Sequence, residues 1–124
     1  MKFEKYYITN KEGKSNCVIR SLCKILNKEY DVYNELVNTA KQLNCNSFND
    51  IEVFETYMEE HNIKKINSKE LQIKDLKLDN KEYVIFCYDK KDFYHMIPIV
   101  NNVIYDKNEE CMNLYTISIY KKEE

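Results

Sequence analysis

The sequence predicts an α+β fold, with N-terminal helices packed on a C-terminal antiparallel sheet. Three observations carry this expectation. Between Cys17 and His61, apolar residues recur at three- and four-residue spacing, the period of an amphipathic helix. From Glu82 onward the runs are rich in β-branched and aromatic residues, as strands are. Helices first and strands last is the order of an α+β chain. At 124 residues the chain reads as one domain, 1–124, with enough Ile, Leu, Val and Tyr to bury a core and no linker, repeat or low-complexity segment.

Each element follows from local chemistry. A first helix is expected from Cys17 to Leu26, capped by Ser15 or Asn16, whose side-chain oxygens can accept the free N–H groups of the first turn. Asn27-Lys28-Glu29 turns the chain. A second helix is expected from Asp31 to Leu43, with Val32, Leu36, Val37, Ala40 and Leu43 on one face. A third is expected over Asp50–His61 behind an Asn49 cap, with Ile51, Phe54, Tyr57 and Met58 as its apolar stripe. Ile63–Ile66 is a short strand. Ser68–Leu78 is ambiguous between a capped helical turn and an alternating strand. Glu82–Tyr88 is a near-continuous β-forming run and so a central strand. Asp92–Val100 and Val103–Asp106 form a hairpin about Asn101-Asn102, since Asn tolerates positive φ. Asn113–Tyr120 is the last strand.

Two of these elements carry chemistry. Cys17 stands at the first helical position, where the positive end of the helix dipole favours a thiolate. A thiolate nucleophile needs a base and a group to orient that base. The chain has only two histidines, and His95 lies beside a plausible partner. With a two-residue turn, Val100 opposes Val103, Ile97 opposes Asp106 and His95 opposes Asn108. Side chains alternate faces with period two, so His95, Ile97 and Asp106 share a face. Asp106 is then the diagonal neighbour of His95, roughly 7 Å away at Cβ. A three-residue turn would break this parity.

The run Asn16-Cys17-Val18-Ile19-Arg20-Ser21-Leu22, followed by a second helix with Tyr33-Asn34-Glu35-Leu36, resembles the (N/D)-C-x-x-R-(A/S)-L opening of small papain-like cysteine peptidase domains. His95–Val100 with Val103–Asp106 resembles the H-x-x-x-V…(V/I)-x-D hairpin of the same domains. These domains occur in low-GC Gram-positive bacteria and their phages, and the resemblance covers nearly the whole chain. It implies a papain-like fold and a Cys17, His95, Asp106 triad in the papain-like chain order. Papain-like enzymes place a Gln a few residues before the nucleophile to complete the oxyanion hole. Here Thr9–Asn16 holds none, so Asn10 and Asn16 are the stand-ins beside the Cys17 N–H. Gly13 is the only glycine, where peptidases often use several to let substrate backbone approach, which points to a narrow substrate range or no peptide substrate.

Composition narrows the alternatives. Nineteen basic against twenty-one acidic residues leave no positive excess for a phosphate backbone, so nucleic acid is not an expected partner. The lysine pairs 64–65, 90–91 and 121–122, the last two directly beside acids, read as solvated faces. No apolar stretch is long enough to span a bilayer, and Met1–Tyr6 carries no hydrophobic signal region, so a cytoplasmic protein is expected. Five cysteines, an odd number, read as free thiols. No Cys-x-x-Cys pair suggests zinc and no glycine-rich loop suggests a nucleotide, so neither metal nor cofactor is expected.

Structural roles compete with catalytic ones. A cysteine at a helix start is often a small buried hydrophobe. Cys23 and Cys87 read as core, Cys45 and Cys111 as loop residues that could be exposed, and His61 as a helix-end cation. Eleven tyrosines, six of them in the expected sheet, would suit a protein-binding face if several were exposed together. Two functions follow. One is a cysteine hydrolase cutting a peptide or isopeptide bond. The other is a weak or inactive papain-like fold serving as a protein-binding module, for example a phage-encoded inhibitor of a host protein.

Overall fold

The computed structural model describes residues 1–6, 16–27 and 31–123. Its elements run β1 (Lys2–Lys5), α1 (Cys17–Leu26), α2 (Asp31–Gln42), α3 (Ile51–Glu60), β2 (Ile63–Ile66), β3 (Glu82–Tyr88), β4 (Tyr94–Val100), β5 (Val103–Asp106) and β6 (Tyr115–Lys122). The fold is α+β, as expected. The sheet is mixed rather than antiparallel: in the order β1-β5-β4-β3-β6-β2, β1 pairs parallel with β5 while the other neighbours are antiparallel. The charged run Lys2-Phe3-Glu4-Lys5 carries no strand signal of its own. It becomes a strand because β5 offers it an unpaired edge.

Local chemistry sets the helix ends. The Asn16 side chain accepts from the Ile19 N–H at 2.9 Å and so caps α1, while Ser15 lies outside the described residues. At the other end Asn27 turns into the left-handed region, φ 58°, and its N–H reaches Cys23 O. The second helix closes at Gln42, one residue early, though the Leu43 N–H still donates to Thr39 O. For α3 the expected cap and stripe both shift. Asp50 precedes the helix without a side-chain cap, Val53 is buried where Ile51 was expected, and Ile51 stands 51% exposed.

The sheet is covered on both sides. Along β3, Val84 and Phe86 face the helices, packing with Val18, Leu22, Leu36, Phe54 and Met58, while Tyr83, Ile85 and Cys87 face the opposite layer. That layer comes from segments the sequence left ambiguous or read as loops. Ser68–Leu78 supplies a bridge at Gln72 to Tyr115 and a 3-10 turn over Ile73–Asp75, with Ile73 fully buried. Glu109–Asn113 forms a second 3-10 turn that buries Cys111. The expectation of an exposed Cys111 is thereby corrected: its turn folds back onto the sheet. The third lysine pair is not a solvated face either. Lys121 and Lys122 are half-buried, and the Lys122 ammonium donates to Ile25 O at 3.0 Å, tying β6 to the end of α1.

Candidate active site

The hairpin has the geometry its sequence predicts. Asn101 and Asn102 both take positive φ, 52° and 63°, as a type I′ turn requires. Val100 pairs with Val103 and Ile99 with Ile104. The β4–β5 ladder consists of these two pairs, although β4 begins at Tyr94 and β5 continues to Asp106. Beyond the ladder the two strands are joined by side chains. His95 Nε2 and Asp106 Oδ2 stand 2.8 Å apart, across the diagonal that the alternation argument gave.

From the helical layer, Cys17 at the start of α1 lines one cavity with His95, whose imidazole acts on the thiol. Because Nε2 is held by Asp106, Nδ1 is the ring nitrogen left for the thiol. Cys17, His95 and Asp106 are therefore brought together in one line. Asp106 is 4% exposed, and the His95 side chain 12%.

The charges of this line are mutually adjusted. Burial works against an ionised Cys17, but the hydrogen bond and charge of His95, the Met96 backbone and Arg20 outweigh it and bring the thiol below its ordinary range. Burial likewise works against a charged His95, yet Asp106 and Cys17 raise it to about 9. Burial would raise the Asp106 carboxyl, but His95, the Lys107 backbone N–H and Cys111 hold it below the usual carboxylate range. These directions shift the site toward a thiolate–imidazolium pair anchored on a carboxylate.

Two cavities meet at His95. One, of about 640 Å³, lies on the Cys17 side, walled by Val18, Phe54, Phe86, Tyr94 and Met96 with Asn49, Asp50 and Ile51 at its rim. The other, of about 310 Å³, lies on the Asp106 side and includes Arg20, Phe93, Lys107, Glu110 and Cys111. His95 thus borders open space on both sides while its ring stacks on Phe93, centroids 5.6 Å apart.

The two expected oxyanion donors fare differently. Asn10 lies outside the described residues. Asn16 is at the site, but its carbonyl oxygen caps α1 and its Nδ2–H donates to Asn49 Oδ1 at 3.0 Å. The backbone N–H of Cys17, in the first turn, has no acceptor within the helix. Asn49, expected as the α3 cap, instead links the third helix to the first.

Several neighbours were not singled out from the sequence. Arg20 Nη2 lies 3.7 Å from Asp106 Oδ1 with both side chains buried. Cys111 and Asp106 line the same cavity, and the Cys87 thiol donates to His95 O at 3.4 Å. Burial pushes both of these thiols up, so they stay protonated. Arg20 stood at the R of the (N/D)-C-x-x-R-(A/S)-L resemblance, with no role read from it. Phe93 and Cys111 carried none. Among the described residues no His, Cys, Asp and Glu group is arranged to hold a metal, and no helix is long and apolar enough to cross a membrane.

No protein-family model matches the chain, and no curated protein or solved structure matches it.

Proposed function

We propose that the chain is a papain-like cysteine hydrolase acting on a peptide or isopeptide bond. The observation that supports this reading is the 2.8 Å His95–Asp106 hydrogen bond with Cys17 on the same cavity as His95, joined by a lowered thiol and a raised imidazole. In the first half-reaction the Cys17 thiolate attacks the substrate carbonyl carbon, and the carbonyl oxygen takes the negative charge. The Cys17 N–H is the donor for that oxyanion, and Asn16 Nδ2 keeps a second N–H beyond the one it gives to Asn49. The His95 imidazolium gives its Nδ1 proton to the leaving amine as the C–N bond breaks, leaving a thioester. Neutral His95 then takes a proton from water, whose oxygen attacks the thioester, and Cys17 departs as the thiolate. Asp106 accepts from Nε2–H throughout and fixes the ring's tautomer and orientation. Five free thiols suit a reducing compartment, so the cytoplasm is the proposed location.

A second reading has its own observation. Ile51, Phe93 and Tyr94 stand 51%, 51% and 54% exposed beside the site, an apolar rim that suits a protein-binding module. The broader tyrosine face does not add to it: Tyr83 and Tyr120 are buried, and Tyr88, Tyr105 and Tyr115 are half-buried.

Alkylation separates the two. Iodoacetamide near neutral pH should label Cys17 before the other four thiols, and His95→Ala should slow that labelling. Mass-spectrometric mapping that finds Cys45 labelled first and Cys17 inert would favour the binding module.

A further inference from the structure

Among the described residues, two charged side chains are buried, Arg20 and Asp106, and they face each other. A lone buried ion is costly, and a buried pair removes much of that cost only when the charges balance. The proposed working state of the site contains a thiolate, an imidazolium and a carboxylate, which together carry one net negative charge. Adding the Arg20 guanidinium brings the set to zero.

We propose that Arg20 is a positioning residue whose buried positive charge neutralises the Cys17–His95–Asp106 set and so favours the Cys17 thiolate. This inference rests on the proposed triad. Other ionisable groups face the set from each neighbouring element, and none supplies this charge. Cys87 on β3 and Cys111 on the second 3-10 turn are buried thiols that stay protonated. Lys107 after β5, Glu109 and Glu110 on that turn, and Asp50 before α3 are exposed, where water screens them. Arg20 is also held in place by its own helix. Its backbone N–H donates to Asn16 O at 2.8 Å, in the turn that starts with the cap, so the nucleophile and its countercharge share one rigid segment. Guanidinium suits the place, since it stays charged when buried, and beside the Asp106 carboxylate an ammonium would keep its proton too.

The signature of a charge role differs from that of a packing role. Removing the charge while keeping the fold should make the thiolate harder to form and the imidazolium easier to keep. The pH at which Cys17 reaches half its plateau rate of iodoacetamide labelling should rise, and the His95 titration midpoint should rise with it. Loosened packing would instead let Cys17 rise and His95 fall back toward its ordinary value. The test uses the full chain with Arg20→Met, Arg20→Lys and, as a control, Lys107→Met. Labelling is followed by mass spectrometry and His95 by NMR. Arg20→Met should raise both midpoints by about one pH unit, the low end of what a close charge exerts. Arg20→Lys should stay nearer wild type, and Lys107→Met should match it. Should Arg20→Met fail to fold, Arg20→Gln takes its place. If neither folds, Arg20→Lys decides: a wild-type profile supports the charge role, and a shifted one overturns it. Unchanged midpoints in a folded Arg20→Met, or a His95 midpoint that falls, overturn the Arg20 role alone. A wild-type chain whose Cys17 and His95 titrate at ordinary values would sink the triad and this inference together.

Discussion

Asp106→Asn is the most informative single change in the site. It keeps an oxygen to accept from His95 Nε2–H and removes only the charge. In the native chain His95 rises from 6.5 to about 9 against the opposing effect of burial, which corresponds to about 3 kcal/mol of preference for the imidazolium. The 12% exposure of the ring leaves little solvent to screen it. Asp106 is the foremost of the two groups raising it, with Cys17 the second. Loss of one close opposite charge should therefore lower the His95 midpoint by about 1–2 pH units. The assay is the imidazole Cε1–H resonance followed against pH. Only His61 and His95 contribute, and His61→Gln assigns them. Stability should follow the same ion. The folded value lies above the unfolded one, so the contribution of His95 is complete below pH 6.5 and is lost as pH rises through about 9. In Asp106→Asn that loss should be smaller and should be complete at lower pH. A wild-type His95 titrating at its ordinary value, or one that stays at 9 in Asp106→Asn, would refute the reasoning.

Three further outcomes are expected. Cys17→Ser should abolish hydrolysis and reduce stability by less than about 2 kcal/mol in urea unfolding, the scale for burying an unpaired hydroxyl; a larger loss would make Cys17 a packing residue. Asn102→Val should lower stability by about 1–2 kcal/mol, because a β-branched residue resists the left-handed conformation of the turn. The same change should displace the His95 midpoint, since the turn sets the register of the hairpin. Asn16→Ala should lower stability by about 1 kcal/mol, the usual worth of a helix cap, and a variant matching wild type in urea would show that the cap is not needed.

What the sequence made legible was local. The start of α1 at Cys17 follows from the Asn16 cap, and the hairpin register follows from two consecutive asparagines, each an interaction within a few residues. The His95–Asp106 contact was accessible for the same reason, because a two-residue turn fixes parity over the strands that flank it. The rest depends on partners distant in the chain. Lys2–Lys5 becomes a strand only against β5, about a hundred residues later. Ile51, the first residue of α3, leaves the core for the wall of the cavity beside Cys17. Cys111 is buried because its 3-10 turn folds back onto the sheet, and no pattern around Glu109–Asn113 announces that packing. The Arg20–Asp106 pair joins a helix to a strand across the domain, and spacing along either element says nothing about it.

The two-pair ladder between β4 and β5 has a mechanical consequence. A strand gripped along its whole length by one neighbour takes its position from that neighbour. β5 is gripped by β4 only near the turn, and its far half is held by β1, which pairs with it from Lys2↔Val103 to Lys5↔Asp106. The Tyr6 N–H closes this grip on Asp106 O at 2.8 Å. His95 therefore rides on one side of a seam and Asp106 on the other. The aim of the imidazole is set by the first six residues as much as by the hairpin. A load applied at the N-terminus would be felt at Asp106 before it reached His95.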